Sequence, residues 1–197
     1  LARERESRNI ALFSGAGILL LAVGLWRRLL YVRRSRARIQ HERERSERLL
    51  LNILPERVAR ELKDHGEAKA REFEHVSILF TDFKDFTTIS AGMSAADLVA
   101  EIHACFKAFD DIVGGYGMEK IKTIGDAYMA AGGLPDPERG TAAEVVRAAL
   151  DMQEFIRARK AEREAAGLPA FSMRIGIHTG PVVAGIVGVK KFQYDVW

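Results

Sequence analysis

The order of the apolar segments after Glu74 constrains the fold of this chain more than any other feature. Short apolar runs alternate with longer segments whose apolar residues recur at helical spacing, which predicts strand, helix, strand, strand, helix and strand. The predicted elements are His75–Phe80, Ala95–Val113, Glu119–Ile124, Ala127–Ala131, Ala142–Arg163 and Phe171–His178, with further extended pieces at Val182–Val187 and Phe192–Trp197. This order predicts an α+β domain with the ferredoxin-like βαββαβ arrangement, a mostly antiparallel sheet and helices on one face.

Two aspartates lie where predicted strands give way to turns. Asp82 ends the first strand within FTDFKDFT, and Asp126 follows Gly125 at the predicted hairpin turn. Because the first strand of this arrangement lies beside the hairpin strands, we expect the two carboxylates to meet at one end of the sheet. Two such carboxylates can hold two Mg²⁺ against a phosphate ester, with Mn²⁺ as a substitute, and polarise an attacking hydroxyl. Taken singly, each aspartate is better explained as a turn or helix-cap residue, and only the spacing together with the fold favours a metal site.

An apolar run near the N-terminus predicts a membrane span. Residues 10–26 carry no charge, and mostly apolar residues continue to position 32, so we expect a transmembrane helix over residues 9–32. Residues 1–8 would be an extracytoplasmic flank or the end of an upstream region. Arginines follow the run where a signal peptide would need a small-residue cleavage site. By the positive-inside rule these arginines place everything after the span in the cytoplasm, which predicts a membrane protein in contact with lipid.

Residues 33–66 predict a cytoplasmic helical linker, or transducer segment. Leu51, Leu54, Val58 and Leu62 fall on one helical face, which forms either the coiled-coil seam of a parallel dimer or a surface packed on the chain's own next domain. Pro55 interrupts this face, so we expect a kink or a restart of the helix there.

The composition excludes several other classes of protein. The net charge is only +3 and the arginines crowd around the apolar run, so no nucleic-acid partner is expected. Cys105 is the single cysteine, which excludes a disulfide within the chain, and its apolar helical surroundings predict a small buried hydrophobe. No cluster of cysteine and histidine competes for a metal, which favours Mg²⁺ over Zn²⁺.

Four motifs in this order resemble the catalytic domain of class III nucleotidyl cyclases: FTDFKDFT, KIKTIGDAYMAAGGLP, RIGIHTGPVVAGIVG and FQYDVW. LLLNILPERVARELK resembles the short transducer element that precedes this domain in membrane-bound members of the family. The resemblance covers Leu49–Trp197 and implies a catalytic domain over residues 72–197. It also implies that two such domains dimerise and convert a nucleoside triphosphate to its 3′,5′-cyclic monophosphate and pyrophosphate.

The resemblance assigns roles to several residues of the first two motifs. Asp82 and Asp126 match the two metal-binding aspartates of the family, and the carbonyl of Phe83 matches the backbone ligand to the second metal. The backbone amides that would face the triphosphate belong to Phe83, Lys84, Asp85, Phe86 and Thr87.

Lys122 and Asp195 match the two positions that select the base in this family. A lysine can donate to N1 of adenine and a carboxylate can accept from its amino group, so the resemblance implies ATP as the substrate. Strand periodicity puts Lys120 on the same face as Lys122, and only the resemblance selects Lys122. His178 is not the general base in the family, and a structural histidine next to a glycine turn is expected.

The sequence as a whole predicts a membrane-bound, homodimeric adenylyl cyclase, with three alternatives. Lys122 and Asp195 argue against a guanylyl cyclase, and Gly132-Gly133 followed by Leu134-Pro135 lacks the signature of a diguanylate cyclase. A non-catalytic, dimerising membrane signal relay would be expected to have lost one of the metal aspartates. The family's next segment, after Trp197, supplies an asparagine and an arginine, so we expect residues 1–197 alone to be inactive or nearly so.

Overall fold

The computed structural model describes residues 24, 26–28, 31–33, 39–188 and 192–197. The chain forms two compact units, Leu1–Asn52 and Ile53–Trp197. In the first unit, residues 39–51 are helical and almost entirely exposed, with a hydrogen bond from Gln40 to Glu44 one turn later. Most of the predicted membrane span, residues 9–32, lies outside the described residues. Among the residues that are described, no helix is both long enough and apolar enough to cross a membrane.

The second unit contains four helices and one five-stranded sheet among its described residues. In chain order the elements are α1 (Glu56–His65), β1 (Arg71–Lys84), α2 (Phe86–Ser90), α3 (Ala95–Gly115), β2 (Glu119–Ile124), β3 (Ala127–Gly132), α4 (Ala142–Ala165), β4 (Ser172–Val187) and β5 (Gln193–Val196). The strand order is β2-β3-β1-β4-β5, and every neighbouring pair is antiparallel. The predicted βαββαβ order and antiparallel sheet are therefore observed, with β5 added at one edge.

Strands β1 and β4 are longer than the apolar pattern predicts. Their ladder runs from Arg71 opposite Ala184 to Lys84 opposite Ser172, so pairing continues beyond the apolar core of each strand. Asp82 consequently lies inside β1, and the prediction that it ends the strand is wrong. β4 also continues through Pro181, where two separate pieces were predicted; the irregularity between Phe73 and Val76 faces this proline, which lacks an N–H for a regular ladder.

Helices α3 and α4 cover one face of the sheet and enclose the core. Both helices begin at a capping side chain: Ser94 accepts from the amide of Asp97, and Thr141 and Glu144 form a capping box. The core cluster lies between the sheet and these two helices. It includes Leu79, Phe83, Phe109, Tyr128, Met152 and Met173. Cys105 lies in this core with 1% of its surface exposed, as predicted. Burial raises the pKa of its thiol to about 12, so it is an inert apolar group.

Helix α1 packs on its own domain. The chain is non-helical at Pro55 and the helix starts at Glu56, which confirms the predicted restart. Ala59 is buried, and a carboxylate oxygen of Glu61 lies 2.7 Å from the guanidinium of Arg71 in β1. The amide of Lys69 and then Arg71 hold the pKa of Glu61 below its usual value. For this helix the structure therefore shows the second of the two alternatives, a face packed on the next domain.

Candidate active site

The two aspartates lie at the same end of the sheet, beside the turn that joins β2 to β3. The β1–β3 ladder ends with Thr81 paired to Tyr128, so Asp82 is one residue past this pair along β1. Asp126 is two residues before Tyr128, in a two-residue turn between the paired residues Ile124 and Ala127. Gly125 opens this turn with φ 62°, a conformation that glycine adopts without strain and that favours the twist of a tight hairpin.

An arginine that the sequence did not assign pairs with Asp82. Arg174 lies directly opposite Asp82 in the β1–β4 ladder, and its guanidinium forms an ion pair with the Asp82 carboxylate. Alternation with Met173 and Ile175 places Arg174 on the sheet face away from the core, but only the strand register shows that it meets Asp82. The side chains of Arg174 and Asp82 are 66% and 45% exposed, so water screens the interaction.

Lys122 and Asp195, the two candidate base-selecting residues, are in direct contact. The Lys122 ammonium donates to the Asp195 carboxylate at 2.5 Å, and these side chains are only 25% and 15% exposed. The other carboxylate oxygen of Asp195 accepts from the amide of Val196 at 2.9 Å. Lys122 belongs to β2 and Asp195 to β5, which are the two ends of the strand order, so the sheet curls enough to bring its edges together.

Lys120 and Lys122 do not share a face, so the prediction from strand periodicity is wrong. Lys120 pairs with Ala130 and Lys122 with Met129, which leaves Ile121 as an extra residue in β2. This bulge reverses the alternation between the two lysines. Lys120 instead turns toward the helical layer.

Lys120 joins a hydrogen-bonded network whose charged side chains, Lys120 and Asp110, are 40% and 45% exposed and whose Tyr128 is buried. Its ammonium lies 2.7 Å from a carboxylate oxygen of Asp110 on α3 and 5.1 Å from the centre of the Tyr128 ring. The Tyr128 hydroxyl donates to Asp110 at 2.7 Å, and the Tyr128 amide donates to the hydroxyl of Thr81 at 3.3 Å. Burial, followed by the bond to Asp110, holds the pKa of Tyr128 far above its ordinary value, so the hydroxyl keeps its proton.

The residues from Phe83 to Thr87 form the passage from β1 into α2. Phe83 is 2% exposed, and its side chain packs in an aromatic cluster with its ring 5.0 Å from that of Phe171. Asp85 has φ 55° and turns the chain into the helix that begins at Phe86. The side chains of Lys84, Asp85 and Thr87 are exposed.

The donor atoms at this end of the sheet fit a magnesium-type site. Asp82 and Asp126 offer carboxylate oxygens, and the Phe83 carbonyl adds a third hard oxygen ligand next in sequence to Asp82. In the part of the chain that the structure describes, no three or more His, Cys, Asp and Glu side chains form a cluster able to enclose an ion. Two carboxylates with the remaining positions left to water and substrate phosphate are typical of Mg²⁺, which seldom occupies an all-protein cage.

Comparison with known families explains the combination of fold and motifs. The profile described as the adenylate and guanylate cyclase catalytic domain matches residues 68–197, more than half of the chain. The chain belongs to this family of class III nucleotidyl cyclases. Its second unit thus contains a nucleotidyl cyclase catalytic domain, as the four motifs predicted, and enzymes of this family use divalent metal ions.

Both branches of the family are similar to this cyclase domain. An adenylate cyclase of Mycobacterium tuberculosis is 38% identical over 185 residues, which cover 93% of this chain and 40% of that protein. The soluble guanylate cyclase subunit beta-2 of Rattus norvegicus is 40% identical over 153 residues, 78% of this chain and 22% of that protein. The chain therefore spans well under half the length of either relative.

A solved structure is similar in both fold and sequence. It is the catalytic core of a rhodopsin-guanylyl cyclase with converted specificity in complex with ATPalphaS. It matches with a TM-score of 0.59 and 35% identity, and the match covers 66% of this chain and 68% of that chain.

Proposed function

We propose that the protein is a membrane-bound, homodimeric adenylyl cyclase that converts ATP to 3′,5′-cyclic AMP and pyrophosphate. The observation that carries this proposal is the contact between Lys122 and Asp195 in a cyclase domain that also places Asp82 and Asp126 at one end of the sheet. The mycobacterial adenylate cyclase, 38% identical over 93% of this chain, supports it.

The hydrogen-bonding pattern of the Lys122–Asp195 pair suits adenine. Lysine donates to the acceptor N1 of adenine, and the carboxylate accepts from the 6-amino group. Guanine presents a donor at N1 and an acceptor at O6, so both interactions would be mismatched. Each mismatch at a half-buried site costs about 1–3 kcal/mol, which is enough for a clear preference.

Asp82, Asp126 and the carbonyl of Phe83 hold two divalent ions, Mg²⁺ or Mn²⁺, in this proposal. When bound there, the ions supply Lewis acidity at the attacking hydroxyl and at the phosphate oxygens. Arg174 occupies an oxygen of Asp82 in the structure, so its guanidinium has to leave before that oxygen can become a ligand. The backbone amides of residues 83–87 face the triphosphate at the strand-to-helix passage.

The catalytic site is shared between two copies of the chain. Asp82 and Asp126 of one protomer act with Lys122 and Asp195 of the other. The 3′-oxygen of ATP bonds to the α-phosphorus in line, its proton is released, and the bond to the β-phosphate oxygen breaks as pyrophosphate leaves. No covalent intermediate with the protein is needed, because positioning and charge stabilisation supply the catalysis.

The domain organisation extends this proposal to the membrane. Residues 9–32 span the membrane, residues 33–66 form the helical linker, and residues 72–197 belong to the cytoplasmic catalytic domain. The uncharged run at residues 10–26 and the arginines that follow it support this arrangement.

A guanylyl cyclase is the second candidate, because the rat guanylate cyclase subunit is 40% identical over 78% of the chain. The two candidates share the metal site and differ in the base-selecting pair. A guanylyl cyclase would accept GTP in spite of the lysine at position 122 and the aspartate at position 195.

Removal of a metal carboxylate tests the proposal. In a purified longer protein that includes residues 1–197, we expect Asp82→Ala and Asp126→Asn each to reduce cyclic AMP formation with Mg²⁺ or Mn²⁺ by roughly a hundredfold or more. Asp111→Asn, a change at an exposed carboxylate on α3, is the matched control and should keep wild-type activity. Full activity of Asp82→Ala would refute the proposed role of the metal carboxylates.

Mixing of two inactive variants tests the shared site. Asp82→Ala lacks a metal carboxylate and Lys122→Ala lacks a base-selecting side chain. In a heterodimer of the two, one of the two sites contains both the intact aspartates and the intact Lys122. If subunits exchange at random, the mixture should regain about a quarter of wild-type activity. A mixture as inactive as its components would show that the four residues act within one protomer.

A further inference from the structure

The bulge in β2 separates two lysines that regular pairing would place together. The two-residue turn at Gly125–Asp126 fixes the ladder as Ile124 with Ala127 and Lys122 with Met129. Continued without a bulge, this ladder would bring Lys120 to the same face as Lys122. In the structure Ile121 is the extra residue and is buried, and Lys120 pairs with Ala130 instead. The bulge thereby leaves a single lysine next to Asp195.

Asp110 contacts both β2 and β3 beside the bulge. Its carboxylate accepts from the Lys120 ammonium on β2, with its two oxygens at 2.7 and 2.9 Å, and from the Tyr128 hydroxyl on β3 at 2.7 Å. Tyr128 is fully buried, and its ring packs edge-on to Phe109 with 5.5 Å between centroids. Asp110 therefore joins β2 to a rigid part of the core, at a point beside the bulge.

A second lysine next to Asp195 would weaken base selection. Asp195 has one carboxylate oxygen engaged by Lys122 and the other by the amide of Val196. Another ammonium would compete for the same carboxylate and add a donor that can pair with O6 of guanine. The Asp195 side chain is mostly buried, with 15% of its surface exposed, so such competition is stronger than at an open surface.

We propose that Lys120, Asp110 and the bulge at Ile121 form a specificity device that keeps Lys120 out of the base site, so that Lys122 alone acts with Asp195. Lys120 and Asp110 are positioning residues in this scheme, since neither touches the nucleotide. The inference rests on the proposed function in one respect, that Lys122 and Asp195 select the base.

The first experiment releases Lys120 without removing it. Asp110→Asn keeps an acceptor for Tyr128 and removes the charge that holds the ammonium. In a longer protein that includes residues 1–197, we expect the ratio of kcat/KM for ATP to kcat/KM for GTP to fall about fivefold to thirtyfold, mainly through a higher KM for ATP. Asp111→Asn, the adjacent residue on α3, is the matched control and should leave the ratio unchanged. An unchanged ratio in Asp110→Asn would overturn the inference.

A second substitution separates positioning from general damage to the fold. The double variant Asp110→Asn with Lys120→Met has lost the anchor and also the lysine that would enter the base site. We expect it to regain most of the wild-type ratio, because Lys122 is again alone with Asp195. A double variant as unselective as Asp110→Asn would mean that the anchor only stabilises the domain, which contradicts the inference.

A third measurement does not depend on catalysis. A water-soluble carbodiimide activates carboxylates and forms an amide with an ammonium in contact, with loss of the activating group as its urea. Peptide mapping by mass spectrometry should find amides between Lys122 and Asp195 and between Lys120 and Asp110 in the wild type, and a new one between Lys120 and Asp195 in Asp110→Asn. Absence of the new amide would refute the bulge mechanism. Failure of the wild type to act on ATP would refute only the proposed function, since this mapping would still decide the placement of Lys120.

Discussion

At the scale of single residues, the candidate site is held by two ion pairs of different strength. Arg174 and Asp82 are both largely exposed, so their attraction is worth about 0–1 kcal/mol and a divalent ion can displace the arginine. Lys122 and Asp195 are mostly shielded from water, which strengthens their attraction and fixes both side chains before a base arrives. The Arg174–Asp82 pair is thus easily rearranged, whereas the Lys122–Asp195 pair is held more firmly.

The stability of the domain should depend on pH through Glu119. Burial raises the pKa of its carboxyl from an ordinary 4.5 to about 7, against a smaller opposing effect of Arg139. The raised pKa means that the folded protein holds this proton more tightly than the unfolded chain does. The contribution of Glu119 to stability is therefore fully present below pH 4.5 and is lost as the pH rises through about 7.

Glu119→Gln removes this loss. We expect the free energy of unfolding of the variant to rise relative to wild type by about 1–3 kcal/mol between pH 4.5 and pH 8. Urea unfolding of both proteins at several pH values measures the difference. A difference that stays constant over this range would show that Glu119 has an ordinary pKa.

At the scale of secondary structure elements, periodicity predicted the order and type of the strands and helices but not their exact pairing. β2 was predicted at its observed bounds, Glu119–Ile124, because its ends are marked by a glycine on each side. The extensions of β1 and the continuity of β4 depend on each strand's partner, which no local pattern contains. The bulge at Ile121 accompanies a contact between Lys120 and Asp110, a residue ten positions away on α3 that no pattern within β2 contains.

In the candidate site, too, the sequence predicted the residues but not which of them are in contact. The motifs located Asp82, Asp126, Lys122 and Asp195, whereas the Arg174 pair and the opposite faces of the two lysines required the register of the sheet. Sequence identified residue types that suit the chemistry, because those types are few. Contacts between strands distant in sequence decided which charges meet.

A buried carboxylate joins α3 to α4. Glu101 on α3 is 2% exposed and accepts from Arg159 and Arg163 on α4 at 2.8 and 2.7 Å. Glu101→Gln leaves the two guanidiniums without their anion, and Arg163 is only 11% exposed. We expect a loss of about 2–4 kcal/mol in the free energy of unfolding.

Glu162→Gln provides the matched control, because Glu162 also pairs with Arg159 but is 70% exposed. It should change the free energy of unfolding by less than about 0.5 kcal/mol. Chemical denaturation of the three proteins compares them directly. Equal stability of Glu101→Gln and Glu162→Gln would contradict a structural role for the buried carboxylate.

At the scale of the whole molecule, α1 packs on the sheet of its own unit, the cyclase domain. Glu61 joins α1 to Arg71 at the start of β1, and Val58 lines a small cavity together with Tyr194, the neighbour of Asp195. Helix α1 therefore lines a cavity together with β5, the strand that carries Asp195.

The proposed membrane span predicts how the protein fractionates. Protein containing residues 1–197 should remain in the membrane pellet after washing with carbonate and high salt and should be released by detergent. A variant that lacks residues 9–32 should appear in the soluble fraction. Release of the intact protein by carbonate alone would contradict a spanning helix.

The choice between ATP and GTP tests the central claim most directly. A purified longer protein that includes residues 1–197 is assayed side by side with each nucleotide and Mn²⁺, and cyclic AMP and cyclic GMP are quantified, for the wild type and for Lys122→Glu. The account predicts that the wild type prefers ATP and that Lys122→Glu, which places a second carboxylate beside Asp195, loses this preference by about tenfold or more. A wild type that forms cyclic GMP at least as readily as cyclic AMP would contradict it.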